Sequence, residues 1–185
     1  MFCSGPMFSQ RADKLWEFPA TVVSCFLVRV QRGALPYDVF KEEEKAGIGV
    51  IIRNCHGMVM ASLSQKISLP QTVVEMETLA ATRALEFSLE LGFSKAILEG
   101  DSETVIKALQ DGSPSLAPFG LLLIRDAQEA ANFFTCISYV HVRRNGNYVA
   151  HNLARYARHI TGFSVWMEDV PFQTLAAYQA DLLIS

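Results

Sequence analysis

The 185-residue chain lacks the features of membrane and secreted proteins. Its longest apolar stretch, residues 19–30, carries Arg29 near its end and is far shorter than the ~20 residues needed to cross a bilayer. Residues 1–15 contain no apolar run ahead of a small-residue cleavage site. We therefore expect an intracellular protein with no secretory signal, no transmembrane segment and no membrane partner.

Several chemical motifs are missing as well. The four cysteines, at positions 3, 25, 55 and 136, form no CxxC pair, which argues against a zinc site and a disulfide scaffold. The sequence has no GxSxG elbow, no GxxxxGK[ST] phosphate loop and no GxGxxG between strand and helix. These absences argue against the hydrolases and nucleotide-binding proteins that use those motifs.

Positive charge is concentrated in one stretch although the net charge is −3. Residues 141–159 contain three of the four histidines, no acidic residue and four arginines, which are Arg143, Arg144, Arg155 and Arg158. Such a cluster suits a phosphate-bearing partner. A solvated helix face is the alternative interpretation.

The order of predicted elements indicates one α/β domain. Residues 1–45 form an irregular or divergent N-terminal segment, apart from a β-like apolar stretch at 20–30. After it, the patterns predict strands at 47–52 and 58–67, a helix from Thr72 to Gly92, a strand at 95–101, helices at 102–110 and 119–134, a strand at 136–142, and a last helix from Asn147. This order favours a mixed sheet covered by helices, in a domain spanning residues 46–185.

Two acidic residues lie at positions that suit chemistry. Glu77 follows the capping box of Thr72 and Glu75 and adjoins small residues that allow close approach to the sheet. Asp101 ends a strand and opens a helix, where α/β sheets tend to bind ligands. The structural alternatives are a favourable helix dipole for Glu77 and an N-cap for Asp101.

Two histidines accompany these acids. His141 lies on the strand at 136–142, and His151 lies one turn after Asn147 on the last helix. Histidines on separate elements do not form a zinc motif. Two carboxylates from different elements beside a basic stretch instead suit a magnesium site that acts on phosphates.

Four segments in order resemble the type 1 ribonuclease H family. They are AGIGVIIRNCHG at 46–57, VVEMETLAATRALEFSLELGF at 73–93, AILEGDSETVIKAL at 96–109 and HVRRNGNYVAHNLARYA at 141–157. The resemblance is greatest to plant ribonuclease H-like domains related to retroelement reverse transcriptases. It implies the ribonuclease H-like mixed sheet flanked by helices, with a first strand that is atypical or missing in this chain.

The resemblance also implies roles for single residues. Glu77 and Asp101 match two of the family's catalytic, metal-binding carboxylates. His141 matches the mobile histidine that assists proton transfer or product release. Asn147 matches a residue near the scissile bond.

Two catalytic positions depart from the family. The first carboxylate, also a metal ligand, would fall on Asp38, which lacks the usual following glycine and lies closer to Gly49 than in the family. His151 replaces the fourth carboxylate, and a neutral imidazole binds magnesium less well than a carboxylate does.

The implied function is cleavage of the RNA strand of RNA/DNA hybrids with two Mg²⁺ ions, if the site is complete. Arg143, Arg144 and Arg155 would contact phosphates together with Asn147. Because of the two departures, enzyme activity stays open, and a catalytically silent nucleic-acid-binding module with the same fold is an alternative. A protein-interaction or truncated domain is a third hypothesis.

Overall fold

A computed structural model describes residues 21–29, 44–111, 118–143 and 148–182. Of residues 21–29, 118–121 and 181–182 it describes the backbone alone. Within these ranges, none of the helices is long and apolar enough to cross a membrane.

Six strands and five helices make up the described part of the chain. The strands are β1 (Thr21–Arg29), β2 (Lys45–Arg53), β3 (Val59–Ser68), β4 (Lys95–Gly100), β5 (Cys136–His141) and β6 (Phe163–Met167). The helices are α1 (Val73–Glu90), α2 (Glu103–Asp111), α3 (Pro118–Ala131), α4 (Tyr148–Tyr156) and α5 (Phe172–Leu182), and a 3-10 turn (Ala157–His159) follows α4.

This arrangement confirms the predicted mixed α/β sheet flanked by helices. The strands and helices expected between residues 47 and 156 all occur at the expected places. The apolar stretch at 20–30 forms β1. One strand of the sheet therefore comes from the N-terminal segment, residues 1–45, that the sequence patterns predict to be irregular. The sequence patterns do not predict β6 and α5.

The sheet has the order β5-β4-β1-β2-β3-β6. β1 pairs in parallel with β4, and β4 pairs in parallel with β5. β2 is antiparallel to both β1 and β3, so β3 runs in the same direction as β1, β4 and β5. The carboxyl termini of these four strands therefore lie together, at what we call the carboxyl end of the sheet.

Two apolar clusters cover the two faces of the sheet. One face packs against α1, α2 and α3 through residues such as Ile48, Leu85 and Leu98. The other packs against α4 and α5 through residues such as Ile51 and Leu153. Side chains alternate between the faces of a strand, so β2 contributes to both cores.

Glycines in β2 let α4 lie directly on the sheet. A Cβ atom on Gly47 would collide with the carbonyl oxygen of Ala154, and one on Gly49 would collide with that of Ala150. The buried hydroxyl of Ser64 on β3 donates to the carbonyl oxygen of Leu153 at 2.8 Å. This close packing fixes the position of α4 relative to the carboxyl end of the sheet.

Candidate functional site

The start of α1 places Glu77 near the carboxyl end of the sheet. β3 ends there at Ser68, and α1 begins at Val73 and runs back over the sheet. Thr72 Oγ1 accepts a hydrogen bond from the Glu75 backbone N–H at 3.2 Å, and Glu75 Oε2 accepts one from the Thr72 N–H at 3.3 Å. The predicted capping box is confirmed, so Glu75 serves the helix, and the half-buried Glu77 lies in the following turn.

Asp101 lies at the end of β4, which Gly100 terminates. The carbonyl oxygen of Ser102 accepts the first hydrogen bond of α2, from the Ile106 N–H at 3.0 Å, and its hydroxyl accepts one from Val105 at 3.5 Å. Ser102 therefore caps α2. Helix capping does not account for the half-buried Asp101.

His141 ends the neighbouring strand, β5, beside Asp101. The register of β4 and β5 pairs His141 with Gly100, and the Val142 N–H donates to the Gly100 carbonyl oxygen at 3.0 Å. His141 and Arg143 are both exposed. A base and a cation thus lie next to the half-buried Asp101 and face solvent.

His151 approaches the same end of the sheet from the opposite face. The chain leaves β5 at the carboxyl end and begins α4 at Tyr148, so His151 lies in the first turn of α4 and is half-buried. Glu77 comes from α1, on the other face. The topology therefore brings Glu77, Asp101, His141 and His151 to one end of the sheet.

The remaining predicted positions have different outcomes. Asp38, Arg144 and Asn147 lie outside the described residues. Arg155 is exposed at the far end of α4 from His151.

The central strand β1 brings no carboxylate to this end. Its sequence, TVVSCFLVR, contains no acidic residue. Its register with β4 pairs Ser24 with Glu99, so Phe26, two residues further, is level with Asp101. An acidic first ligand would have to come from outside β1.

The donor atoms at this end fit a magnesium ion in part. Glu77 and Asp101 offer the hard carboxylate oxygens that Mg²⁺ prefers, whereas His151 offers an imidazole nitrogen. Across residues 44–111, 118–143 and 148–182, no group of three or more His, Cys, Asp or Glu side chains could hold a metal ion.

A charged pair that the sequence analysis did not single out borders the site. The Lys107 ammonium lies 2.6 Å from Glu103 Oε1, one helical turn away on α2. This hydrogen bond and charge lower the pKa of Glu103, and the more distant His141 lowers it further. The i, i+4 spacing of Glu103 and Lys107 in the sequence predicts this pair. The sequence does not predict that His141 of β5 is its neighbour.

The sequence matches one known family. A family described as reverse transcriptase-like matches residues 36–157. Among curated proteins, no significant match was found.

Solved structures share the fold at low sequence identity. RNase H1 from the halophilic archaeon Halobacterium salinarum is 23% identical, with a TM-score of 0.64 over 76% of this chain and 98% of that one. The N-terminal RNase H domain of a Mycobacterium tuberculosis protein is 24% identical, with a TM-score of 0.61 over 76% and 94% of the two chains.

A third similar structure, LC11-RNase H1 isolated from compost by metagenomics, was solved in complex with an RNA/DNA hybrid. It is 22% identical, with a TM-score of 0.57 over 74% of this chain and 95% of that one. At these identities the three structures establish a common fold.

Proposed function

Because the chain belongs to the reverse transcriptase-like family, we propose that it is a ribonuclease H-like domain that binds RNA/DNA hybrids at the carboxyl end of its sheet. One observation carries the proposal. Asp101 directly follows β4, His141 ends the adjacent parallel strand β5, and Glu77 lies near the start of α1 at the same end. Carboxylates, a base and the exposed Arg143 together suit a phosphodiester substrate.

Hybrid binding would depend mainly on contacts to the phosphate backbone. Arg143 is exposed directly after β5, and Arg144 and Asn147 follow it in the sequence. Guanidinium groups hold phosphates by bidentate hydrogen bonds. Contacts to phosphates and 2′-hydroxyls carry little sequence information, so we expect little dependence of affinity on base sequence.

Cleavage of the RNA strand would require magnesium at this end. Glu77 and Asp101 would hold the ion, which when bound supplies an activated water and charge stabilisation at the phosphate. His141, exposed beside Asp101, would transfer a proton or assist release of the product.

A second candidate function is hybrid binding without efficient cleavage. The observation that favours it is the composition of β1, which has no acidic residue in the strand beside β4. With His151 in place of a carboxylate, the described part of the chain offers two carboxylates to the metal. Two carboxylates can retain one hydrated Mg²⁺ ion more readily than a closely spaced pair.

The test of hybrid binding compares matched arginine variants. We expect the full chain to bind a labelled RNA/DNA hybrid in an anisotropy titration, with affinity that falls steeply as salt rises because each neutralised phosphate releases counterions. Arg143→Ala with Arg144→Ala should weaken binding to all hybrid sequences alike and reduce the salt slope by roughly 2. Arg125→Ala is the control, because Arg125 is exposed on α3 and pairs with Glu129 at 3.3 Å.

The salt slope decides the result. An unchanged slope in the double variant would show that the hybrid binds elsewhere on the protein. An equal loss in the Arg125→Ala variant would show that general charge, rather than this end of the sheet, governs the affinity.

A further inference from the structure

A cavity of about 290 Å³ lies between α4 and α5. Its walls come from α4, the 3-10 turn and the first turn of α5. The residues that line it are Asn152, Arg155, Tyr156, Arg158, His159, Gln173 and Thr174.

The cavity carries positive charge without a counter-charge. None of its lining residues is acidic, and neither arginine forms an ion pair with a described residue. Arg158 Nε donates to the Arg155 carbonyl oxygen at 3.3 Å, which leaves its terminal nitrogens for another acceptor. Two guanidinium groups and the His159 imidazole therefore border the same space.

Thr174, which also lines the cavity, carries a buried hydroxyl group. The residue is 1% exposed, and its Oγ1 hydrogen-bonds to no described residue. Its backbone N–H already donates to the Pro171 carbonyl oxygen at 2.7 Å. Buried polar groups are nearly always hydrogen-bonded, so this hydroxyl, on a residue that lines the cavity, is left by the described residues with an unused hydrogen-bonding capacity.

Aromatic contacts hold the wall of the cavity in place. The rings of Tyr156 and His159 lie 5.8 Å apart, and Tyr156 meets Trp166 of β6 edge to face at 5.5 Å. β6 thus packs against Tyr156, which forms part of the cavity wall. The shape of the site depends on elements beyond residue 157, where the family match ends.

The cavity is separate from the site at the carboxyl end of the sheet. Asn152, Arg155 and Tyr156 recur at i, i+3 and i+4, which places them on one face of α4. His151 lies in the first turn of α4, whereas Arg155 lies about 6 Å further along the helix, and Arg158 and His159 follow its end. A ligand in the cavity would therefore not occupy the site of Asp101 and His141.

We propose that this cavity is a phosphate-binding site formed by Arg155, Arg158, His159 and Thr174. The guanidinium groups match phosphate oxygens in charge and geometry, and Thr174, which lines the cavity, has a hydroxyl with no hydrogen-bond partner among the described residues. The phosphate is either a phosphodiester of a nucleic-acid strand or a free phosphate. This proposal goes beyond the proposed function, since it requires neither hybrid binding nor cleavage.

The test uses two probes and the full chain. Inorganic phosphate and a dinucleoside monophosphate are titrated separately while amide resonances of Gln173 and Thr174 are followed by NMR. We expect saturable shifts with at least one probe. Saturation by the dinucleotide assigns the site to a nucleic-acid strand, and saturation by inorganic phosphate alone assigns it to free phosphate.

Variants separate the site from general charge. Thr174→Val keeps the shape and removes the hydroxyl, and should weaken binding at least threefold; Arg155→Ala with Arg158→Ala should abolish saturation. Arg125→Ala should leave the titration unchanged. Thermal denaturation reports whether each variant is folded, and the arginine variants keep the test decisive if Thr174→Val is not.

Two results would overturn the proposal. One is the absence of saturable shifts with both probes. The other is equal binding by the wild-type chain and the folded Arg155/Arg158 variant. Saturable phosphate binding by a wild-type chain that does not bind hybrid would uphold this site while rejecting the proposed function.

Discussion

The carbonyl oxygen of Ala150 on α4 occupies the space that a side chain on Gly49 of β2 would need. The helix that carries His151 therefore packs directly against the backbone of the sheet. Adding a methyl group at Gly49 tests how strongly this packing fixes α4.

Gly49→Ala should displace α4 and destabilise the protein. Overpacking of a tight core costs typically about 1–3 kcal/mol, and here the obstacle is backbone rather than a flexible side chain. Gly100→Ala is the matched control, because the added Cβ would lie 3.4 Å from Ile106 Cδ1, an ordinary contact. Urea denaturation should show a clear loss for the first variant and a change within about 1 kcal/mol for the second; equal losses would contradict the close packing.

The two acids at the start of α1 should respond differently to substitution. Thr72→Ala removes the cap that binds the Glu75 N–H and should cost about 1 kcal/mol of folding stability. Thr82→Ala is the control, since its hydroxyl only donates back to the Thr78 carbonyl within α1.

Neither threonine substitution should alter hybrid affinity. Glu77→Gln, in contrast, should reduce any magnesium-dependent cleavage. A cleavage defect in a folded Glu75→Gln variant would argue against separate roles for the two glutamates.

The ionisation of Glu103 offers a local probe of the site. Its pKa is lowered from the ordinary value of 4.5, first by the hydrogen bond and charge of Lys107 and less by His141. Lys107→Gln should therefore raise the pKa more than His141→Asn does, in a carboxyl NMR titration. A larger rise for His141→Asn would reverse the assigned order.

The same shift fixes a direction for stability against pH. Because folding lowers the pKa of Glu103, its contribution to stability is present above the ordinary value and is lost as the pH falls through the lowered one. The Lys107→Gln variant should lose less stability than the wild type over that acid range. Both side chains are exposed to solvent, so the difference should be small.

Cleavage should improve when β1 carries an acid. Phe26 is level with Asp101 in the register of β1 and β4, so Phe26→Asp supplies a carboxylate to the carboxyl end of the sheet. We expect weak or absent magnesium-dependent cleavage of a labelled hybrid by the unmodified chain, an increase in Phe26→Asp, and its loss when Asp101→Asn is added.

Unchanged hybrid affinity in these variants would show that they are folded. Strong turnover by the unmodified chain that persists after Asp38→Asn would mean that the first ligand comes from neither β1 nor Asp38.

Local patterns in the sequence were sufficient for most of the sheet and for α1. The capping box of Thr72 and Glu75 and the buried apolar run of β2 are decided by neighbouring residues, and both occur as predicted. The place of β1 between β2 and β4 is decided by pairing with distant strands. The apolar stretch at 20–30 predicts a strand but not its neighbours.

The two elements that the sequence did not predict have weak local signals. β6 has five residues and is partly exposed on average, so its alternation is too short to stand out. α5 has neither an acidic residue in its first turn nor a basic one in its last, which removes the usual charge signals at helix ends. Thr174 was therefore missed as a binding residue, because nothing in the sequence places it opposite Arg155.

β6 also covers an edge of the sheet that could otherwise pair with another chain. It occupies the outer side of β3 from Ala61 to Gln65, and the Lys66 N–H continues the pairing by donating to Gly162 at 2.7 Å. Without it, the outer edge of β3 would be unpaired from Ala61 to Gln65, a segment that includes the apolar Ala61 and Leu63. Unpaired edges template strand addition by another molecule, so forms of the protein cut before Phe163 should aggregate through β3.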